Sequence, residues 1–555
     1  MTRAAPYLWA SAITAIVAAP WLTPGFIFGT DWPGPRFFRW PAELSGSAPI
    51  EALLSLVSSL VSAELTGKLL ILACLFVAAS TAYFAVPFGD FVPRAAASLI
   101  YVLNPFVYGR LHYGQFFLLA AYAVLPLVAL RTYRLLAAPT FLRAIWLAAT
   151  VTVVGSLAVH LLLPVGLLLS SAVVAALISQ RVSPRYVVRL GSRLAVASVA
   201  MLAAGSYWLI PYLAGKSYES QIIAGAGPAD LAAYRAVGDP TFGLVPNLLG
   251  LYGFWAEGVH RFPPMKGFVP GWFAVLLALL ALAAIGTTIL LVTRNEVVRG
   301  FRWWIAALVV TAIIGLFLEV AAVVPQLAPV VGWLDSVFPP YRGMRDSGKW
   351  AAILAMVYAQ LIPLGVVGIR SWLSRVATRK KLSETGGALV AAIALGLPIY
   401  YGNGLLYGMH GQIQPSNYPQ GWYAADRLMV ADSLHDRALF LPWHLYLRLS
   451  FVRNVNSVIA TPAPTFFAIP IVASGDPEVP GIAPPNDPDQ RMIATLVTTG
   501  GSADWARVLA ARNIKYVLVA NEIDSEQFAY LAHQPGFVRI LGDDNIVLYR
   551  NELLP

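Results

Sequence analysis

Long apolar runs separated by short arginine-bearing turns constrain this chain more than any other feature. They fall at about Pro6–Leu22, Lys68–Val86, Ala95–Leu103, Phe116–Leu136, Ile145–Leu161, Pro164–Ile178, Leu194–Leu213, Pro270–Val292, Trp303–Val320, Ala351–Ile369 and Ala388–Leu406. A helix needs roughly 20 apolar residues to cross a bilayer. Lipid offers no partner to a bare backbone amide, so such runs must be helical. Charged residues make up only 12% of the chain and hydrophobic ones 58%, where a soluble domain is nearer about 25% charged. The chain reads as a polytopic α-helical membrane protein with about eleven transmembrane helices. Ala18-Ala19-Pro20 could end a signal peptide, but the membrane segment that follows favours an uncleaved first span.

The basic residues give the orientation. The net charge is +10, and its placement matters more than its sum. Arg3, Arg94, Arg131, Arg134, Arg143, Arg181, Arg185, Arg189, Arg193, Arg294, Arg299, Arg302, Arg370, Arg375, Arg379, Lys380 and Lys381 all fall in short segments on one side. That is the positive-inside pattern of a membrane protein, not a nucleic-acid surface. It puts the amino terminus in the cytoplasm and, with an odd number of spans, the carboxyl-terminal part outside. Cys74, the single cysteine, falls in an apolar run, and the seven histidines show no HExxH spacing.

Two units follow: a membrane body over residues 1–409 and an extracytoplasmic α/β domain over 410–555. In the second, Asp, Asn, Pro and Gln rise and no run is long enough to span. The pattern predicts helices over 418–434 and 503–513, strands over 438–441 and 515–519, and a hairpin of 537–540 with 546–549 around Gly542-Asp543-Asp544-Asn545. Pro462–Pro488 reads as irregular. In the membrane body, Ile50–Leu65 has apolar residues on one side and Glu51, Ser55, Ser58, Ser59 and Ser62 mostly opposite, which suits a helix lying in the interface.

Three predicted outer loops are unusually polar, and all fall on the same side. The first, about Gly25–Pro49, carries Asp31, Trp32, Arg36, Arg39 and Glu43. The second is Tyr108–Gln115, with Arg110 and His112. The third is Tyr341–Trp350, with Arg342, Arg345, Asp346 and Lys349. An acid with several cations at a bilayer surface suits a reaction on a lipid-linked phosphate. The cations hold phosphate and stabilise a charged leaving group, and the carboxylate takes a proton from an attacking hydroxyl. Each residue also has a plainer reading. Trp32 and its neighbours suit the headgroup layer, Arg110 and His112 can cap broken helices, and Arg342 and Lys349 can anchor a helix end. His160, at a break between two runs, reads as packing or capping.

Several stretches together resemble the C-type superfamily of membrane glycosyltransferases, which use polyprenyl-phosphate sugars. They are the first-loop acid Asp31, the interfacial helix after it, and Leu103-Asn104-Pro105-Phe106. Tyr207-Trp208-Leu209-Ile210-Pro211, Tyr341 to Trp350, and Leu439-Phe440-Leu441-Pro442-Trp443 complete the set. The likeness covers most of the chain and is nearest to large bacterial and archaeal members. It implies an inverting transfer of sugar from a polyprenyl-phosphate donor to a hydroxyl of an envelope glycan, lipid or protein. Asp31 is the implied base, with Glu43 as the second candidate. For the donor phosphate, the reading selects Arg342, Arg345, Lys349 and Arg110, with His112, Asp346 and Trp32 nearby. Asp346 is expected to orient the arginines by ion pairing. The first loop holds no Asp-x-Asp or Glu-Asp pair, so no cofactor is expected and a divalent metal is disfavoured. No Trp-Trp-Asp occurs in the tail, unlike an oligosaccharyltransferase. The rival readings are a lipid-linked glycan flippase, which needs charges at mid-bilayer depth, and a non-catalytic assembly scaffold.

Overall fold

A computed structural model describes residues 4–87, 89–179, 183–292, 301–376, 380–480, 482 and 487–555. Arg3, Arg181, Arg294, Arg299 and Arg379 of the inner basic set lie outside the described residues. Among those described, nine helices are long and apolar enough to cross a membrane. The remaining two predicted spans are shorter helices, Phe91–Val102 and Phe141–Leu157. At 1.5 Å per residue a helix of 12 residues such as Phe91–Val102 is about 18 Å long, short of a hydrocarbon core of about 30 Å.

Asn104 explains why that helix stops. Its Nδ2 donates to Ile100 O at 3.0 Å and Tyr101 O at 2.8 Å, closing the helix behind it. Its Oδ1 accepts from Val107 N at 3.1 Å, opening the next helix, Pro105–Tyr113. Proline at the first position and Gly114 in the left-handed conformation (φ +68°) complete a short, fully capped helix. Residues 108–113 are therefore not a polar outer loop, as the sequence suggests. They belong to a helix buried along its whole length, with Arg110 1% and His112 2% exposed.

The interfacial helix covers Ala48–Leu60, not Ile50–Leu65. Val61 is extended and Ser62 caps the following helix, accepting from Leu65 N at 3.1 Å. Glu64 and Leu65 thus start the Ala63–Ala85 span.

The carboxyl-terminal part holds a five-stranded mixed sheet. In chain order the strands are β1 (Arg437–Leu441), β2 (Tyr446–Arg448), β3 (Val458–Ala460), β4 (Ile471–Val472), β5 (Ile514–Ala520), β6 (Phe537–Gly542) and β7 (Ile546–Asn551). The sheet order is β4-β1-β5-β7-β6, with β1 parallel to β4 and β5, and β7 antiparallel to β5 and β6. Both faces are covered. Phe440, Tyr516 and Leu518 pack under Trp422, Ala425 and Met429 of the Gln420–Asp432 helix. Leu439, Leu441, Val517 and Val519 pack under Ile493, Leu496, Trp505 and Leu509. The alternation along β1 and β5 is the period-two pattern of a strand buried on both sides.

β2 and β3 form a separate antiparallel ribbon that reaches back to the first loop. Ala460 N donates to Thr30 O at 2.7 Å, Asn456 Nδ2 to Thr30 Oγ1 at 2.6 Å, and Asn454 Nδ2 to Phe28 O at 2.8 Å. Arg36 pairs with Asp426 at 2.6 Å, and the Tyr418 hydroxyl donates to Pro33 O at 2.7 Å. Phe28, completely buried, belongs to the core of the carboxyl-terminal sheet. The first loop is therefore folded into the second unit as much as into the first.

Candidate active site

Asp31 stands in a tight turn. Gly29 N and Trp32 O, and Trp32 N and Gly29 O, each bond at 2.9 Å. The turn lies directly against the end of the Pro105–Tyr113 helix. A Cβ on Gly29 would sit 2.5 Å from Gly114 Cα, and one on Gly114 would sit 2.5 Å from Trp32 Cβ. Only glycine permits that approach. It lets Asp31 N donate to Tyr113 O at 2.7 Å.

The side chain of Asp31 opens into cavity space but is walled by protein elsewhere. Gln115 Nε2 donates to Oδ2 at 2.9 Å and the Tyr446 hydroxyl to Oδ1 at 3.0 Å. Desolvation raises the carboxyl above its ordinary value, while the bonds from Gln115 and Tyr446 and the charge of Arg110 pull it down without cancelling the rise.

Two cavities meet at this carboxylate, and both are lined by Asp31, Gln115 and Lys349. The larger, about 530 Å³, is mostly apolar, with Trp32, Phe38, Leu54, Phe116 and Phe117 in its wall. Glu51 and Leu54 of the interfacial helix border it, as do Arg39 and His160. The smaller, about 310 Å³, lies against the carboxyl-terminal part and is lined by Tyr234, Trp255, Arg261, Arg345, Asp346 and Tyr446, among others.

The predicted site residues divide. Asp31, Trp32, Arg345, Asp346 and Lys349 reach a cavity; Glu43, Arg110, His112 and Arg342 line neither. Glu43 is exposed on the loop. Arg342 is held away by Asp335, at 2.7 and 3.2 Å, and by Ile223 O at 2.9 Å. Arg110 is buried, ion-paired with Asp346, with Phe254 4.0 Å from its guanidinium. Asp346 therefore pairs with Arg110, not with Arg342 or Arg345; the partner of Arg345 is Asp230 at 2.9 Å. His112 stacks on Phe262 at 4.3 Å, and burial pushes its imidazole down to about 3. That is packing.

Some residues escaped the sequence reading. His160 lines the larger cavity and is not merely a cap. Tyr446 and Arg261 come from stretches with no motif. Glu319, near the end of a span, is fully buried with Arg110 and Asp346 as its charged neighbours. It lines neither cavity, and both its oxygens lack a hydrogen-bond partner among the described residues. No group of three or more His, Cys, Asp or Glu suited to a metal occurs among the described residues. At Asp31 itself each carboxylate oxygen accepts one hydrogen bond, from the N–H of Gln115 and from the O–H of Tyr446.

The helical body with its carboxyl-terminal α/β unit shares its fold with a solved membrane glycosyltransferase. The structure is similar to the single-particle cryo-EM structure of arabinofuranosyltransferase AftD from mycobacteria, with a TM-score of 0.59 and 15% identity over 99% of this chain and 40% of that chain. A mutant of the same enzyme gives a TM-score of 0.58 at 16% identity, over 99% of this chain and 42% of that one. ArnT from Cupriavidus metallidurans bound to undecaprenyl phosphate has a TM-score of 0.48 at 11% identity, over 98% of this chain and 97% of that one. The chain thus spans about 40% of the length of AftD. No protein-family model and no curated protein matches the sequence.

Proposed function

We propose that this protein transfers a sugar from a polyprenyl-phosphate donor to a hydroxyl acceptor on the outer face of the membrane, with inversion. The observation that carries the reading is the meeting of two unlike cavities at one carboxylate. The apolar cavity beside the interfacial helix suits a lipid-linked donor. The polar one suits a hydroxylated acceptor. Asp31 accepts the acceptor's proton as its oxygen attacks the anomeric carbon; the bond from that carbon to the phosphate oxygen breaks, and polyprenyl phosphate leaves. General-base help of this kind is worth about 10²–10⁴ in rate.

Lys349, which lines both cavities, is placed to meet the charge that develops on the phosphate, with Arg345 and His160 on either side. Arg342 and Arg110 leave the donor set, and Arg110 becomes a structural support. A flippase needs a charged path through the bilayer. The buried intramembrane acid Glu319 lines neither cavity, which favours transfer over transport.

The test is transfer in proteoliposomes. The first donor to try is a polyprenyl-phosphate pentofuranose, because the similar AftD is an arabinofuranosyltransferase by name. Wild type transfers sugar with inversion and Asp31→Asn does not. Equal transfer by both proteins would overturn the reading.

A further inference from the structure

The hydrogen bond from Gln115 to Asp31 depends on which way its amide faces. Turned one way the amide donates to the carboxylate; turned the other, two oxygens repel. Here the direction is dictated from behind. Arg110 Nη1 donates to Gln115 Oε1 at 2.7 Å. A guanidinium has only donors, so the amide oxygen must face it and the NH₂ group must face Asp31. Arg110 cannot swing away. It is 1% exposed, ion-paired with Asp346, and its guanidinium lies 4.0 Å from the Phe254 ring and 5.1 Å from the Phe106 ring. The helix Pro105–Tyr113 and its Gly114 cap set the spacing, since Arg110 O also accepts from Gln115 N at 3.0 Å.

We propose that Gln115 is a positioning residue for Asp31 and that Arg110 acts on Asp31 through it, by fixing the direction of the amide. The Tyr446 hydroxyl holds the other oxygen, from the carboxyl-terminal unit. The catalytic consequence rests on Asp31 being the base; the positioning itself does not. Other charges near Asp31 are Arg345, Lys349 and Arg261 on the basic side and Asp346 and Glu478 on the acidic side. Tyr113 and Tyr234 line the same cavity. None of these touches the Gln115 amide in place of Arg110.

Carbodiimide labelling tests this without any sugar. The reagent modifies a protonated carboxyl, so peptide mass spectrometry of the whole protein in detergent across a pH series gives a midpoint for Asp31. In Gln115→Leu that midpoint rises by about one to two pH units, the loss of one hydrogen bond to a charged group. Arg110→Lys keeps the charge, but its shorter side chain does not reach as far as Nη1, the one nitrogen that donates to both Gln115 and Asp346, and it also raises the midpoint. Combined with Gln115→Leu it adds nothing further. Thermal unfolding of each variant in detergent reports whether the fold is kept. Should Arg110→Lys lower the unfolding temperature, the Gln115→Leu arm alone decides. A wild-type midpoint in Gln115→Leu, or full additivity in the double variant, overturns the proposal. Absence of sugar transfer would leave it standing, so the two readings fail separately.

Discussion

The two cavities at Asp31 differ in how they are built. The larger is walled by aromatic and aliphatic side chains of the first loop, the interfacial helix and the helix starting at Phe116. The smaller takes its lining from loops, from β2 and β3, and from the stretch around Glu478. One is set mostly in the membrane body, with Thr465 as its only lining residue from the carboxyl-terminal part; the other takes Tyr446, Val458 and Glu478 from that part. A site that must bring a greasy donor and a water-soluble hydroxyl to the same atom needs both kinds of wall. On the proposed function a base serves only where the two substrates meet, and Asp31 lines both cavities.

The coarsest test of the contrast is the side on which it sits. A reporter enzyme active only outside the cytoplasm, fused after Pro555, is expected to be fully active; a silent reporter in a well-inserted fusion breaks the assignment of both cavities to the outer face.

Next in size is Asp31→Asn, which leaves both cavities in place and lowers transfer by about 10²–10⁴. Glu43→Gln, on an exposed part of the loop, is expected to transfer at the wild-type rate. The pH dependence has a definite sign. Burial raises the Asp31 carboxyl above its ordinary value, so transfer falls off on the acid side at a higher pH than for an ordinary aspartate. Ionising Asp31 also costs the folded state: the cost is absent below the unfolded value and complete above the raised one. A rate profile measured beside a thermal-unfolding profile shows whether the two track.

Lys349→Met is expected to weaken donor binding by about ten- to a hundredfold, the loss of a charged hydrogen bond. Arg342→Ala, with its guanidinium engaged by Asp335, leaves donor affinity unchanged. Titrating a polyprenyl-phosphate sugar onto both purified proteins separates the two ends of that stretch. Smaller, side-selective effects sharpen the comparison further. Leu54→Trp should raise the donor KM severalfold with the acceptor KM constant, and Trp255→Ala should do the reverse. If either variant moves both constants equally, the cavities do not divide the substrates. Finally, Gly114→Ala forces a Cβ into a left-handed residue 2.5 Å from Trp32 Cβ. Its cost of about 1–3 kcal/mol should appear as a lower unfolding midpoint.

Much of the fold was legible because its determinants are local. Long apolar runs mark the spans, and short apolar runs mark β1 and β5, which are buried on both faces. Asp31 was legible as a loop acid, but its tight turn against Gly114 was not. The Pro105–Tyr113 helix was misread because its polar residues look like a loop's; burying Arg110 depends on Asp346, 236 positions away. Arg342 and Arg345 are equivalent in sequence, and only the positions of Asp335 and Asp230 tell them apart. His160 and Tyr446 carry no neighbouring pattern, and tertiary structure alone delivers them to the cavities. Span endings at Val61-Ser62 and Asn104 turn on single capping side chains, which hydropathy cannot see.

The bonds that join Thr30 and Phe28 to Asn456 and Asn454 bridge 426 positions of chain. At about 5–20 residues per second, roughly 20–90 s of synthesis separate the turn that carries Asp31 from the ribbon that fastens it. During that interval the membrane body can insert and pack, but the carboxylate has no Tyr446 and the smaller cavity has no roof. If the proposed function holds, the nascent chain is expected to be silent until this ribbon docks, and a copy cut short after Tyr401 is expected to insert without transferring sugar.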